Sequence, residues 1–369
     1  MQLSRRGLLY GTAGVAAVSL AACGAGGETK PLTGFTGIAM PTTTSERWVL
    51  EGADLEKRLQ DLGYKTILEN GEDDIPTQIG QIQSMIDQGV EFLIIAAIGN
   101  TSLGEVLAKA KDKGVTIISY DRLILETPDV DYYASFDNNQ VGVLQAKHII
   151  DKLGLDQDTD ETFNIELFSG SSDDNNSQYF FQGGLDTLEP YIYSGKVVIP
   201  SNQTELEFTA TDKWSRAVAR ERMTGLLDEF YKDQPLHAVL SPYDGISRGI
   251  VEALVAADYE PGSDEFPVIT GQDAELRSLK AIKEGTGQTE TVFKDTRLLA
   301  GVTVDMVKSI VEGGKPEVND LGTYDNGFKF IPAYLLDPLN VTVDNYKEVV
   351  VDSGYATEEA IDTAPADED

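Results

Sequence analysis

Arg47 and Trp48 stand side by side soon after the first apolar run of the chain, and comparable groups follow one apolar run after another. Asp121 and Arg122 come directly after residues 115–120, and Asp137 and Asn138 after residues 132–136. Residues 163–168 lead into a polar stretch, 169–176, that ends in Asn175 and Asn176. Trp214 opens a stretch with helical periodicity. Tyr243 and Asp244 follow residues 238–241, Asp273 follows 267–270, and Lys294 follows 291–293. Planar polar side chains around a rim, with aromatic rings above and below, suit a ligand that has a ring of hydroxyls and small C–H faces, as a monosaccharide does. Charged partners make shorter and stronger hydrogen bonds to hydroxyls than neutral ones. Three cations set among several carboxylates balance one another and leave a site fitted to a neutral polar molecule. Each position also has a structural reading. The tryptophans can be core, Arg122 can pair with Asp121, and Asn175, Asn176 and Asp244 can cap helices. The recurrence of these types at successive strand ends favours a binding site.

The elements that must carry these groups are legible as alternation. Residues 35–40, 65–69, 92–97 and 115–120 read as strands, the third a continuous apolar run of the kind that a parallel strand buried on both faces shows. Between them lie helical stripes: Leu55, Leu59 and Leu62; Ile75, Ile79, Ile82 and Ile86; Leu103, Val106, Leu107 and Ala110. Residues 163–168, 196–199, 238–241 and 267–270 read as further strands, with helices at 214–231 and 245–257. Such alternation with short connections predicts an α/β protein with doubly wound parallel sheets, whose ligands bind at the carboxyl ends of the strands.

With 369 residues, 41% of them hydrophobic, the chain has enough material for two packed domains. A formal net charge of −33 argues against nucleic acid as a partner, because phosphate binding needs a clustered basic surface. The single cysteine, Cys23, cannot form an intrachain disulfide or a multi-thiolate zinc site. No metal site or cofactor is expected. Asp156, Asp158 and Asp160 have the spacing of the first ligands of a calcium loop, but Glu161 stands where glycine is needed and Leu167 where the bidentate glutamate is needed.

The first residues read as an address. Arg5 and Arg6 precede an apolar stretch, residues 8–20, too short to span a membrane, and the sequence Leu20-Ala21-Ala22-Cys23-Gly24 resembles a bacterial lipobox. There the leader is cut before the cysteine and the sulfur is lipidated, which predicts anchoring at Cys23. The twin arginines resemble a twin-arginine export signal, with Sec export as the alternative.

The segments Tyr120-Asp121-Arg122-Leu123, Phe136-Asp137-Asn138, Asp173-Asp174-Asn175-Asn176, Ser241-Pro242-Tyr243-Asp244-Gly245, Gly271-Gln272-Asp273 and Phe293-Lys294-Asp295 resemble those of the type 1 periplasmic binding proteins, above all the ChvE-like multiple-monosaccharide receptors. The likeness runs over nearly all of residues 35–355. It implies two lobes joined by a three-segment hinge: residues 35–137 plus 295–323, and residues 138–294 plus 324–356. A signal peptide (1–22) and a lipidated tether (23–34) come before them, and an acidic tail (357–369) expected to be disordered comes after. It further implies that Arg47, Asp121, Arg122, Asn138, Asn175 or Asn176, Asp273 and Lys294 bind the hydroxyls of a monosaccharide, and that Trp48 and Trp214 enclose it. Asp137, Tyr243 and Asp244 complete the candidate set. Thr43 departs from the lysine that related receptors often carry. The partners implied are a monosaccharide, an ABC-type permease with its ATPase, and the membrane through the anchor. The chain itself is expected to be a monomer on the outer face of the cytoplasmic membrane, or periplasmic in a Gram-negative cell. A sugar sensor acting mainly in signalling or chemotaxis is the alternative. A repressor of the same fold would need a basic DNA-reading segment where this chain has its leader. In a glycosidase, a carboxylate beside a cation stays ionised, which is wrong for a general acid.

Overall fold

The structure, a computed structural model, describes residues 32–158 and 160–365. Arg5, Arg6, Cys23 and the rest of the leader lie outside the described residues, as do the last residues of the tail, 366–369. The first lobe begins with β1 (Thr36–Met40), α1 (Glu46–Asp61), β2 (Thr66–Asn70), α2 (Ile75–Gln88), β3 (Phe92–Ile95), α3 (Gly104–Asp112), β4 (Thr116–Tyr120) and β5 (Tyr132–Phe136). The chain then enters a second lobe with α4 (Asn138–Leu153), β6 (Phe163–Leu167), α5 (Asn175–Ser194), β7 (Val197–Val198), α6 (Leu206–Thr209), α7 (Arg216–Phe230), β8 (Ala238–Leu240), α8 (Asp244–Ala256), β9 (Val268–Ile269), α9 (Leu276–Glu284) and β10 (Glu290–Phe293). It returns to the first lobe with α10 (Thr296–Val311) and β11 (Ala333–Leu336), and ends in the second with β12 (Leu339–Thr342) and α11 (Glu358–Asp362).

The first sheet has the order β11-β5-β4-β3-β1-β2, with every pairing parallel. Its central strand β3 is apolar on both faces because helices cover both. Leu93 and Ile95 pack with Ile82, Met85 and Ile86 of α2 and with Val106 and Leu107 of α3. Phe92 and Ile94 point the other way, to Leu55 and Leu59 of α1 and to Leu299 and Val304 of α10. The second sheet has the order β7-β6-β8-β9 and is parallel throughout. A parallel bridge between Gln272 and Val292 carries it on to β10, which pairs antiparallel with β12. This is the doubly wound α/β architecture with both sheets aiming their carboxyl ends at the space between the lobes.

Three expectations are corrected. The last passage to the second lobe was placed near Tyr324, but Tyr324 is buried in the first core with Ile331 and Ala333, and β11 pairs with β5. The passage comes after Leu336, because β11 completes the open edge of the first sheet before the chain leaves it. The tail was expected to be disordered from residue 357. Instead Thr357 caps α11, Ile361 is fully buried, and Lys283 of α9 pairs with Glu358 at 3.1 Å and Asp362 at 2.5 Å. Leu62 was assigned to the apolar stripe of its helix. The helix ends at Asp61, and Leu62 is 41% exposed as its C-cap.

Candidate functional site

The left-handed turn at the end of β4 sets the geometry. Asp121 has φ 59°, a conformation uncommon for a side chain other than glycine but reached by Asp more readily than by most residues. Its carbonyl oxygen is held by three donors: the Tyr133 hydroxyl at 2.6 Å, the Ser135 hydroxyl at 3.0 Å and Asn176 Nδ2, from the second lobe, at 3.0 Å. With the backbone thus clamped, the carboxylate accepts from Arg47 of α1. Trp214 (φ 57°), after Lys213 (φ 53°), and Asp273 (φ 91°) repeat this device in the second lobe. Backbone strain of this kind persists where the surroundings over-determine it, and it clusters at functional sites.

These turns gather one cluster from both lobes. Arg47 is bound by Asp121 and by Glu51, one helical turn further along α1, and its third nitrogen lies 3.5 Å from Asp273 of the second lobe. Lys294, at the end of β10, lies 3.1 Å from the same Asp273 oxygen and 5.6 Å from the ring centre of Phe180. Arg122 reaches Asp174, the N-cap of α5, at 3.0 Å. Asn138 donates to Asn176 at 2.9 Å. Trp48 lies beneath the guanidinium groups of Arg47, at 4.6 Å, and Arg122, at 5.3 Å. Trp214 stands edge-on to Phe180 and Tyr243, and its indole Nε1 is buried with no hydrogen-bond partner. Asp273 Oδ1 likewise has the ion-pair approaches of Arg47 and Lys294 but no hydrogen bond of good geometry. Buried polar atoms left in this state are rare in folded proteins.

Burial pushes the Asp121 carboxyl up, but Arg47, Lys294 and Arg122 outweigh it and leave the group below its ordinary range. Asp121 therefore stays a carboxylate at neutral pH and serves only as an acceptor. Burial raises Glu51 and Asp174 instead. Three cations and four carboxylates make up the cluster, so its formal charge is close to zero.

The candidate residues divide into those brought together and those not. Arg47, Trp48, Asp121, Arg122, Asn138, Asn176, Asp273 and Lys294 form the cluster, and Trp214 adjoins it through Phe180, which Lys294 also approaches. Tyr243 lies edge-on to Trp214 and donates to Glu275 at 2.6 Å. Asp137 caps α4 through Gln140 N at 3.0 Å. Asp244 is fully buried, with its oxygens taken by Gln288 at 2.7 Å, Thr291 at 2.8 Å and the backbone of Glu275 at 2.8 Å. Its carboxyl is pushed up to about 7 by burial and then by Glu275. Asn175 turns away from Asn176 and lines a separate cavity of about 520 Å³ with Glu126, Tyr179 and Asp325. That cavity holds none of the cluster's charges, so it does not mark the site. Trp214 was expected to open a helix; it sits in the turn before α7. Sequence reading missed Glu51 and the pairing of Asp174. The four-residue spacing of Arg47 and Glu51 is the signal that marks the first. Among the described residues no group of three or more His, Cys, Asp or Glu is placed to hold a metal ion.

Residues 36–315 match the periplasmic binding protein domain family. The multiple sugar-binding periplasmic receptor ChvE of Rhizobium radiobacter is 51% identical over 87% of this chain and 90% of its own length. The D-xylose-binding periplasmic protein of Escherichia coli is 33% identical over 87% of this chain and 91% of its own. Among solved structures, an ABC transporter solute binding protein from Clostridium phytofermentans with bound β-D-glucose superposes with a TM-score of 0.84, at 41% identity, covering 89% of this chain and 99% of that one.

Proposed function

The chain belongs to the periplasmic binding protein family, and we propose that it captures one neutral monosaccharide between its lobes for an ABC-type importer. The observation that carries this reading is the convergence of Arg47, Asp121, Arg122, Asn176, Asp273 and Lys294 from both lobes, joined through Phe180 to Trp214, whose indole N–H has no partner. Sugar hydroxyls both donate and accept, so they can complete the polar atoms that the protein leaves open, while the indole face covers C–H groups. The near balance of charge disfavours sugar acids and sugar phosphates. A carboxylate held ionised by three cations is an acceptor for hydroxyls and a poor general acid, which supports binding over catalysis. Export, lipidation of Cys23 and delivery to a membrane permease complete the proposal.

The test is titration calorimetry of the purified chain against a panel of pentoses and hexoses, with galacturonate as the charged counterpart. The expected result is 1:1 binding of one or a few neutral sugars at micromolar or tighter affinity, no turnover, and no binding of galacturonate. Asp121→Ala should weaken binding more than Asp156→Ala, whose carboxylate serves Tyr191 far from the cluster. Equal effects would place the site elsewhere.

A further inference from the structure

Glu51 is 2% exposed on a helix whose neighbouring positions Val49 and Leu50 are 43% and 60% exposed. A carboxylate that deep needs partners, and both of its oxygens are taken. Oε1 accepts from Arg47 Nε on the same helix, and Oε2 accepts from the Tyr120 hydroxyl of β4 at 2.6 Å. Two elements therefore fix the carboxylate plane. The three nitrogens of Arg47 are divided in turn, with Nε to Glu51, one terminal nitrogen to Asp121 and the other toward Asp273. An arginine fork is planar, so fixing the Nε edge sets where the other two point. Asp121 and Asp273 alone pull the group from two lobes without defining its rotation over Trp48.

We propose that Glu51 is a positioning residue of the sugar site, holding the Arg47 guanidinium in the plane from which it serves Asp121, Asp273 and the ligand. This rests on the sugar-binding reading above.

The charged and titratable groups that face Glu51 are Arg47 on its own helix, Tyr120 and Asp121 at the end of β4, and Tyr355 from the C-terminal segment. Asp273 and Lys294 act one step removed, through Arg47 and Asp121. Burial, then Asp121, push the Glu51 carboxyl up against the pull of Arg47 and Tyr120, and it ends above its ordinary range, whereas Asp121 ends below its own. As pH falls, Glu51 takes a proton before Asp121 does, and the Nε edge of Arg47 is released while the Asp121 contact persists.

The experiment compares wild type and Glu51→Gln, with sugar affinity measured from pH 8 to pH 4.5 for the tightest sugar of the panel. Glu51→Gln keeps the shape but removes the charge. The expected result at pH 7.5 is a loss of affinity on the order of tenfold to a hundredfold, with the melting temperature close to wild type. Wild type should weaken on acidification, and the variant should be flat over the same range. Tyr120→Phe, which frees Oε2 and keeps the ring, should show a smaller loss in the same direction if Glu51→Gln does not fold. A variant that binds within twofold of wild type, or one that weakens but keeps the wild-type acid limb, overturns the proposal. A readout without sugar separates this from failure of the sugar reading. The Arg47 Nε–H resonance, assigned with Arg47→Lys, should exchange slowly in wild type and fast in Glu51→Gln. If wild type binds no sugar, the sugar reading falls; slow exchange in wild type alone still supports the clamp, and equal exchange in both overturns it.

Discussion

Gly170 has no side chain because the Trp214 indole occupies the place of one. A Cβ built on Gly170 would meet Trp214 Cη2 at 2.0 Å and two further ring carbons at 2.3 Å. Gly170→Ala should therefore push the ring off its seat without touching a polar group. Its binding of the preferred sugar should weaken about as much as that of Trp214→Ala, roughly 1–3 kcal/mol by calorimetry, the scale of burying an aromatic face. Affinity is compared at a temperature where both variants remain folded, because each also loses some packing of the ring against Phe180 and Tyr243. Wild-type affinity in Gly170→Ala would show that the ring is no wall of the site. The tryptophan was legible as a candidate from its type and place; its seat was not, since nothing in Ser169-Gly170-Ser171 announces which ring lies over the glycine.

The helices α4 and α5 cross with their backbones in contact. A Cβ on Gly142 would lie 1.9 Å from the Phe180 carbonyl oxygen, and one on Gly183 would lie 2.2 Å from that of Asn139. Gly142→Ala should cost about 1–3 kcal/mol as an overpacked contact. By contrast Gly80, on the exposed side of α2 with nothing within 4 Å, should gain about 0.5–1 kcal/mol as alanine. Urea midpoints in the order Gly80→Ala, wild type, Gly142→Ala check both. Element by element, the central strands were legible because strands covered on both faces are apolar without interruption, as Phe92–Ile95 is. The edge was not: β11 is as apolar as the central strands, but nothing in Ala333–Leu336 says that it joins the sheet beside β5, far earlier in the chain. The same limit separates Asn175 from Asn176. At the first turn of α5 consecutive side chains diverge by about 100°, and a sequence shows adjacency but not which residue faces the cleft. Glu51 was reachable through its spacing from Arg47, but an acid four residues along an amphipathic helix reads as part of a solvated face, and only the fold shows it turned onto Tyr120.

At the scale of the molecule the two lobes meet through polar groups: Arg122 on Asp174, Asn176 on Asp121, Arg47 near Asp273. Elsewhere the second lobe buries ionisable groups with opposite consequences for pH. His148 of α4, bonded to Thr289 at 2.9 Å, is lowered to about 4 by burial and then by Lys152. The fold thus favours the neutral imidazole. Its contribution is complete above the unfolded value near 6.5 and is lost as pH falls from there toward 4. Asp244, raised to about 7, runs the other way, favouring the fold as pH falls from about 7 toward the ordinary carboxylate range. Wild type minus His148→Asn isolates the histidine. Between pH 7.5 and pH 5 wild type should lose about 2 kcal/mol more than the variant in chemical denaturation. Equal losses would mean that His148 is protonated in the fold.

The pairing of β11 with β5 also has a consequence in time. On the ribosome, β1 to β5 emerge early, but the outer edge of β5, Tyr132–Phe136, waits for Ala333–Leu336. At ~5–20 residues per second, that delay is on the order of ten to forty seconds. For that interval an apolar strand edge stands open, the feature through which nascent chains stick to one another. The whole second lobe up to β10 is synthesised meanwhile. A cell making this protein must therefore shield a half-built sheet, and must finish translation before the first lobe reaches its native form.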